Sequence, residues 1–159
     1  MFHLGKKKEA HCLYATQTGR AVALSEVPDE AFSEKILGDG IAILPSDGAI
    51  VSPVDGEIEQ VPETLHAYAI RSDDGLDVLV HIGIDTVRLK GEGFHNLVKA
   101  GDKVKAGDKL SDVDLALLTE KGYALYTPVI ITNMDAISSL EPVLGEVKAG
   151  ETVVLRYRI

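Results

Sequence analysis

Residues 76–91 read L-D-V-L-V-H-I-G-I-D-T-V-R-L-K-G, and the alternation in their first half decides the fold class. Leu76, Val78, Val80 and Ile82 share one parity; Asp77, Leu79, His81 and Gly83 share the other. That is the spacing of a β-strand with one face in a core. Upstream, Ser72-Asp73-Asp74-Gly75 is rich in turn formers, and a second histidine, His66, precedes it. A two-residue loop at Asp73-Asp74 would set His66 directly opposite His81. A loop centred on Asp74-Gly75 would set Tyr68 opposite His81 and leave His66 as a diagonal neighbour on the same face. Either even loop brings the two imidazoles together, whereas an odd loop or a bulge breaks the parity.

The pattern continues on both sides. Asp39-Gly40, Asp47-Gly48 and Asp55-Gly56 punctuate Ile41-Ala42-Ile43-Leu44 and Ala49-Ile50-Val51. Residues 126–133 form a buried-strand pattern with Pro128 near its start, and residues 143–159 alternate again and are expected to close the sheet. Short β-rich runs with frequent turns predict an all-β sandwich or barrel. Helical periodicity is scarce. A short helix is expected over 113–119, and residues 31–36 fit either one helical turn or an extended piece. Lys99-Ala100-Gly101-Asp102-Lys103 recurs as Lys105-Ala106-Gly107-Asp108-Lys109, each a natural tight turn, which predicts a twisted hairpin region.

The chain has 159 residues, of which 45% are hydrophobic, enough for one domain with a substantial core. The division expected is an N-terminal tail over 1–19 and one domain over 20–159. Residues 1–11, with Lys6-Lys7-Lys8, read as a solvated tail rather than a membrane-surface tether. His3 and His11 receive no role. A formal charge of -9 argues against nucleic-acid binding and suits a partner with a basic docking face. Cys12, the one cysteine, has no internal disulfide partner and reads as an ordinary thiol. With no signal peptide and no long apolar run, a soluble cytoplasmic protein is expected.

His66 and His81 are the residues with chemistry to offer. Neutral imidazole can attack phosphorus, bind a metal or shuttle protons. Attack at phosphorus requires one ring nitrogen unprotonated and exposed, and the other donating to a fixed acceptor, for which the Gly83 carbonyl is a candidate. Thr64 would share the strand face of His66 and orient it through its hydroxyl; otherwise it is simply a β-branched strand residue. Asp85 is either a contact for a cationic partner, a metal ligand or a turn-capping carboxylate. Phe32 and Leu79 are either an apolar rim that excludes water or core.

Residues 80–87, followed by Leu89-Lys90-Gly91-Glu92-Gly93-Phe94, closely resemble the active-site signature of the glucose-type enzyme IIA components of the bacterial phosphoenolpyruvate-dependent sugar phosphotransferase system. The resemblance extends over about 20–155. It includes residues 38–45, Ser52-Pro53-Val54-Asp55-Gly56, His66-Ala67 and residues 127–133. It implies an antiparallel β-sandwich or barrel-like fold with little helix. It also implies His81 as the phosphorylated residue, His66 as the neighbour that stabilises the phosphoryl group, and Thr64 as the threonine bonded to that neighbour. Asp85 would lie in the rim that meets a partner arginine, with Phe32 and Leu79 on the apolar patch. Leu79 and Pro62 stand where phenylalanines occur in some members. The implied donor is phospho-HPr and the implied acceptor is the cysteine of a sugar-permease IIB domain, with no cofactor and only indirect contact with the membrane. Met1 and the lysine-rich start fit a free-standing protein.

Two further readings use the same chain. A zinc-dependent hydrolase could be built on His66, His81 and Asp85, but such enzymes commonly draw ligands from a His-x-His pair that this sequence lacks. Zinc bound adventitiously at His66 and His81 fits better. A biotinyl or lipoyl carrier is suggested by Val104-Lys105-Ala106-Gly107-Asp108, yet Met134 has no adjacent lysine.

Overall fold

The computed structural model describes residues 11–159. In chain order these form β1 (Cys12–Tyr14), β2 (Gly19–Ala23), α1 (Glu30–Ser33), β3 (Asp39–Pro45), β4 (Ala49–Val51), β5 (Gly56–Gln60), β6 (Ala67–Ser72), β7 (Asp77–His81), β8 (Phe94–Asn96), β9 (Lys103–Val104), β10 (Lys109–Val113), α2 (Leu115–Glu120), β11 (Thr127–Ile131), β12 (Ser139–Pro142), β13 (Gly145–Val147) and β14 (Val153–Arg158). The fold is all-β. An eight-stranded sheet runs β13-β2-β3-β11-β7-β6-β5-β9, and two three-stranded sheets, β1-β14-β12 and β4-β10-β8, accompany it. The strand pairs are antiparallel.

The middle of the large sheet is covered on both faces. Ile41, Ile43, Val129 and Ile131 enter the main core, whereas Ala42 and Ile130 enter a smaller cluster with Val22, Leu24, Val27, Phe32 and Ile84. Such strands read as continuous apolar runs rather than alternating ones. Gly40 is required here, because a Cβ on it would lie 2.1 Å from the Val129 carbonyl oxygen. On the other side of β11, pairing with β7 ends at Val129 opposite Val80. Pro128 is next in that register and has no N–H to donate, so the ladder stops beside His81.

The β6–β7 hairpin differs from both expected registers. Ala67 opposes His81 and Arg71 opposes Asp77 around the three-residue loop 73–75. The extra residue fits because Gly75 takes a left-handed φ of 92°, while Ser72 Oγ accepts the Leu76 N–H at 2.9 Å.

The N-terminal stretch also departs from expectation. Residues 1–10 lie outside the described residues, and with them the tether reading and His3. From Cys12 onward the chain is packed into the domain: β1 pairs with β14, and Leu13, Thr16 and Gln17 have no exposed surface. The apolar run Cys12-Leu13-Tyr14-Ala15 supplies the strand that the flanking polar residues obscure.

The Ala-Gly-Asp repeats make the expected turns, each closed by its aspartate. Asp102 accepts from the Lys99 N–H at 3.0 Å and Asp108 from the Lys105 N–H at 2.8 Å. They do not make a hairpin with each other. β9 pairs with β5, and β10 pairs with β4 and β8. Residues 143–159 likewise divide between sheets, β13 on β2 and β14 between β1 and β12.

Candidate functional site

Where β7 gives out, the chain makes a sharp bend through Ile82, Gly83, Ile84 and Asp85. Gly83 and Asp85 both have left-handed φ, 73° and 63°. The bend turns the Gly83 carbonyl back toward the strand, and His81 Nδ1 lies 2.8 Å from its oxygen. A carbonyl only accepts, so Nδ1 carries the proton and Nε2 keeps its lone pair.

His66 arrives by a different route. In the observed register it would continue β6 opposite Ile82, and opposed residues on paired strands share a face, so a regular strand would point it away from His81. Instead β6 begins at Ala67, and Leu65 just before has a left-handed φ of 58°. The His66 carbonyl still accepts the Ile82 N–H at 2.7 Å, but its ring meets that of His81 edge to face, centroids 4.9 Å apart. Thr64 Oγ1 lies 2.7 Å from His66 Nδ1. Thr64 sits in a turn closed by the Leu65 N–H on the Pro62 carbonyl, not on a strand face as expected.

Both imidazoles favour the neutral form. Burial, and then the proximity of His81, lowers the pKa of His66 to about 4. Burial also depresses His81, opposed by its bond to Gly83 and by the through-space influence of Asp29 and Asp85.

The remaining expected residues fall around this pair in unequal ways. Asp85 is exposed at the bend, and its side chain caps nothing. Leu79 is half-buried beside the smaller core cluster. Phe32 is only 4% exposed, with its ring 5.1 Å from that of His81. It forms a wall of the site rather than an open patch. Tyr126 and Ala124 are also half-buried against the same cluster.

Several residues here were not anticipated from the sequence. Asp29 caps α1, accepting the Ala31 N–H at 2.9 Å, and its carboxylate acts through space to raise the His81 pKa. The signal was present: Pro28-Asp29-Glu30 is a helix start, with aspartate as the cap. Ala124 accepts the Ile84 N–H at 3.1 Å, and Thr86 donates to the Ile82 carbonyl at 2.5 Å. No local pattern marks those two, because both act through backbone groups of the bend.

The arrangement offers the free Nε2 lone pair of His81, a second neutral imidazole beside it, apolar walls and carboxylates at the margin. Among the described residues, no group of three histidine, cysteine or carboxylate side chains gathers as a metal site. No helix there is long and apolar enough to cross a membrane.

Residues 11–137 match the family model described as phosphoenolpyruvate-dependent sugar phosphotransferase system, EIIA 1. The PTS system glucose-specific EIIA component of Haemophilus influenzae is 50% identical over 146 residues, covering 92% of this chain and 88% of that protein. The component of the same name from Bacillus cereus is 43% identical over 157 residues, covering 98% and 95%. In three dimensions the chain is similar to glucose permease IIA from Mycoplasma capricolum. The TM-score is 0.86 at 38% identity, covering 98% of this chain and 99% of that one.

Proposed function

The chain belongs to the EIIA 1 family of the phosphoenolpyruvate-dependent sugar phosphotransferase system, and from that membership we propose that it is a phosphocarrier with His81 as its phosphoryl acceptor. Phospho-HPr is the donor, and the cysteine of a sugar-permease IIB domain is the acceptor. The names of its relatives point to glucose as the sugar whose uptake it serves. The work is done in the cytoplasm, and the membrane is reached only through the permease. Residues 20–159 act as the carrier domain, together with the strand at 12–14.

The observation that carries the reading is the bond from His81 Nδ1 to the Gly83 carbonyl. It commits one nitrogen and leaves Nε2 as the nucleophile. In the first transfer the Nε2 lone pair forms the new N–P bond as the donor's N–P bond breaks, its electron pair returning to the donor nitrogen. No proton needs to leave. In the second transfer the IIB thiolate attacks phosphorus and the pair returns to Nε2. Both are in-line displacements in which positioning and charge stabilisation dominate. Thr64 donates its hydroxyl proton to His66 Nδ1, so that Nε2–H of His66 can donate to a phosphoryl oxygen. A pKa near 4 keeps His66 a neutral donor rather than a cation, which tempers the stability of the phosphorylated state and leaves it competent to pass the group on.

Docking requires a water-poor contact rimmed by charge. Leu79 supplies apolar surface over the Phe32 wall, and Asp85 offers a carboxylate to a basic partner. The test is incubation with phosphoenolpyruvate, enzyme I and HPr, read by intact mass. One added phosphoryl group is expected on the wild type and none on a folded His81→Ala variant. Equal phosphorylation of that variant would refute the assignment.

A further inference from the structure

The bend after β7 is buried apart from Asp85, and its backbone is held by hydrogen bonds on several sides. Two successive peptides are pinned as the chain leaves the strand: the 81–82 peptide donates its Ile82 N–H to the His66 carbonyl at 2.7 Å, and the 82–83 peptide offers its Ile82 carbonyl to Thr86 Oγ1 at 2.5 Å. The next peptide donates its Ile84 N–H to the Ala124 carbonyl at 3.1 Å and offers its Gly83 carbonyl to His81 Nδ1 at 2.8 Å. Those two contacts lie on one peptide, so Ala124 polarises the acceptor that His81 uses.

Thr86 is the side chain that closes this arrangement. It has no exposed surface, and its hydroxyl donates back four residues to Ile82 rather than outward. Its methyl group occupies the space a side chain at Gly83 would need: a Cβ there would lie 2.6 Å from Thr86 Cγ2. Threonine therefore does two things that neither valine nor serine does alone. The hydroxyl fixes the Ile82 carbonyl, and the methyl limits rotation at a glycine that would otherwise be free to turn.

We infer that Thr86 is a positioning residue for phosphoryl transfer. By immobilising the 82–83 peptide it aims the Gly83 carbonyl at His81 Nδ1, which keeps His81 in the single tautomer with its lone pair on Nε2. The inference rests on the phosphocarrier reading, but its direct consequence, the tautomer, is independent of any phosphate. Thr86 touches neither the phosphoryl group nor a partner. It acts through Gly83.

The experiment uses the full chain with 15N-labelled histidine. Tautomers are read from ring-nitrogen shifts in the unphosphorylated protein, and the acceptance rate is measured with phospho-HPr. Wild type should show His81 as Nδ1–H alone. Thr86→Val, nearly the same shape without the hydroxyl, should show a mixture of Nδ1–H and Nε2–H and accept phosphate about tenfold more slowly, the effect of one lost hydrogen bond. Thr86→Ser should recover the single tautomer and most of the rate. Thr86→Ala provides the same hydroxyl deletion should valine prevent folding. A single Nδ1–H tautomer at the wild-type rate in the folded deletion variant overturns the inference. So does a slowed rate with the tautomer unchanged. Failure of wild type to take phosphate at His81 would instead strike the phosphocarrier reading, and the tautomer comparison would still decide the role of Thr86.

Discussion

One histidine, His11, lies at the loop end of the β6–β7 hairpin and two, His66 and His81, at its open end, and the two ends offer different kinds of partner. At the loop end, His11 Nδ1 lies 3.3 Å from Asp74, which also takes the hydroxyls of Ser72 and Tyr157. Burial works against that carboxylate, but the three side-chain hydrogen bonds hold it below its ordinary pKa, and burial together with Asp74 pushes the Tyr157 hydroxyl up. These three side chains converge on one carboxylate, and the cluster ties the hairpin loop to β14. At the other end each imidazole commits one nitrogen to a separate uncharged partner, Thr64 or the Gly83 carbonyl. The carboxylates Asp29 and Asp85 act on His81 only through space. The difference the phosphocarrier reading uses is that the partner of His81 can only accept, which fixes the proton on Nδ1 and leaves the Nε2 lone pair uncommitted.

The contrast can be broken most severely at His66. His66→Gln keeps a donor but loses the Thr64-oriented ring, so acceptance from HPr should persist. Onward transfer to the IIB cysteine should fall about 100-fold, the typical cost of losing one well-placed donor to a charged transition state. Quench-flow transfer to IIB at the wild-type rate would remove His66 from the chemistry.

The next effect concerns charge at the rim. Asp85→Lys should slow acceptance from HPr about tenfold and flatten its dependence on salt, since exposed charges are screened beyond roughly 10 Å at 0.1 M ionic strength. A small phosphodonor such as phosphoramidate should react with His81 in this variant as in wild type. Equal loss with the small donor would place Asp85 in the chemistry instead of the interface.

Acid separates the two ends further. Because both His66 and His81 are depressed, acceptance should survive below the ordinary histidine pKa of 6.5 before protonation removes the lone pair. Between 6.5 and about 4 the folded protein binds fewer protons at His66 than the unfolded chain does. Stability from this site is therefore present above 6.5 and lost as pH falls through that window. Denaturant titrations of wild type and His66→Gln from pH 7 to 4 should diverge, the wild type losing more. Parallel curves would contradict the neutral His66.

The smallest effect belongs to the loop end. Asp74→Asn weakens three hydrogen bonds at a partly exposed site, for about 1 kcal/mol of stability, and should leave phosphate acceptance unchanged. A loss of acceptance would show that the two ends are coupled.

How much of this was legible in the sequence differs between fold and site. Alternation in 76–82 announced the β class, but loop length is set by backbone angles that residue type only suggests. Gly75 admitted a third loop residue, and the expected register shifted by one. The histidines met regardless, because Leu65 and Gly83 leave the strand geometry on which parity depends. The sequence pairs Thr64 with His66 on a strand face, whereas the bond between them is made from a turn. Asp29 is legible as a helix cap, but its influence on His81 arises from tertiary packing that no local pattern shows. Phe32 could be read as rim or core, and burial by α1 and the smaller cluster decided between them. β1 was hidden by its polar neighbours.

The central claim is that His81 Nε2, and no other nitrogen, takes the phosphoryl group. It is tested most directly by phosphorylating 15N-histidine-labelled protein through phosphoenolpyruvate, enzyme I and HPr, and reading phosphorus–nitrogen coupling. The account predicts one coupled nitrogen, Nε2 of His81, with its Nδ1 still protonated against Gly83. Coupling to Nδ1 of His81, or to any nitrogen of His66, would contradict it.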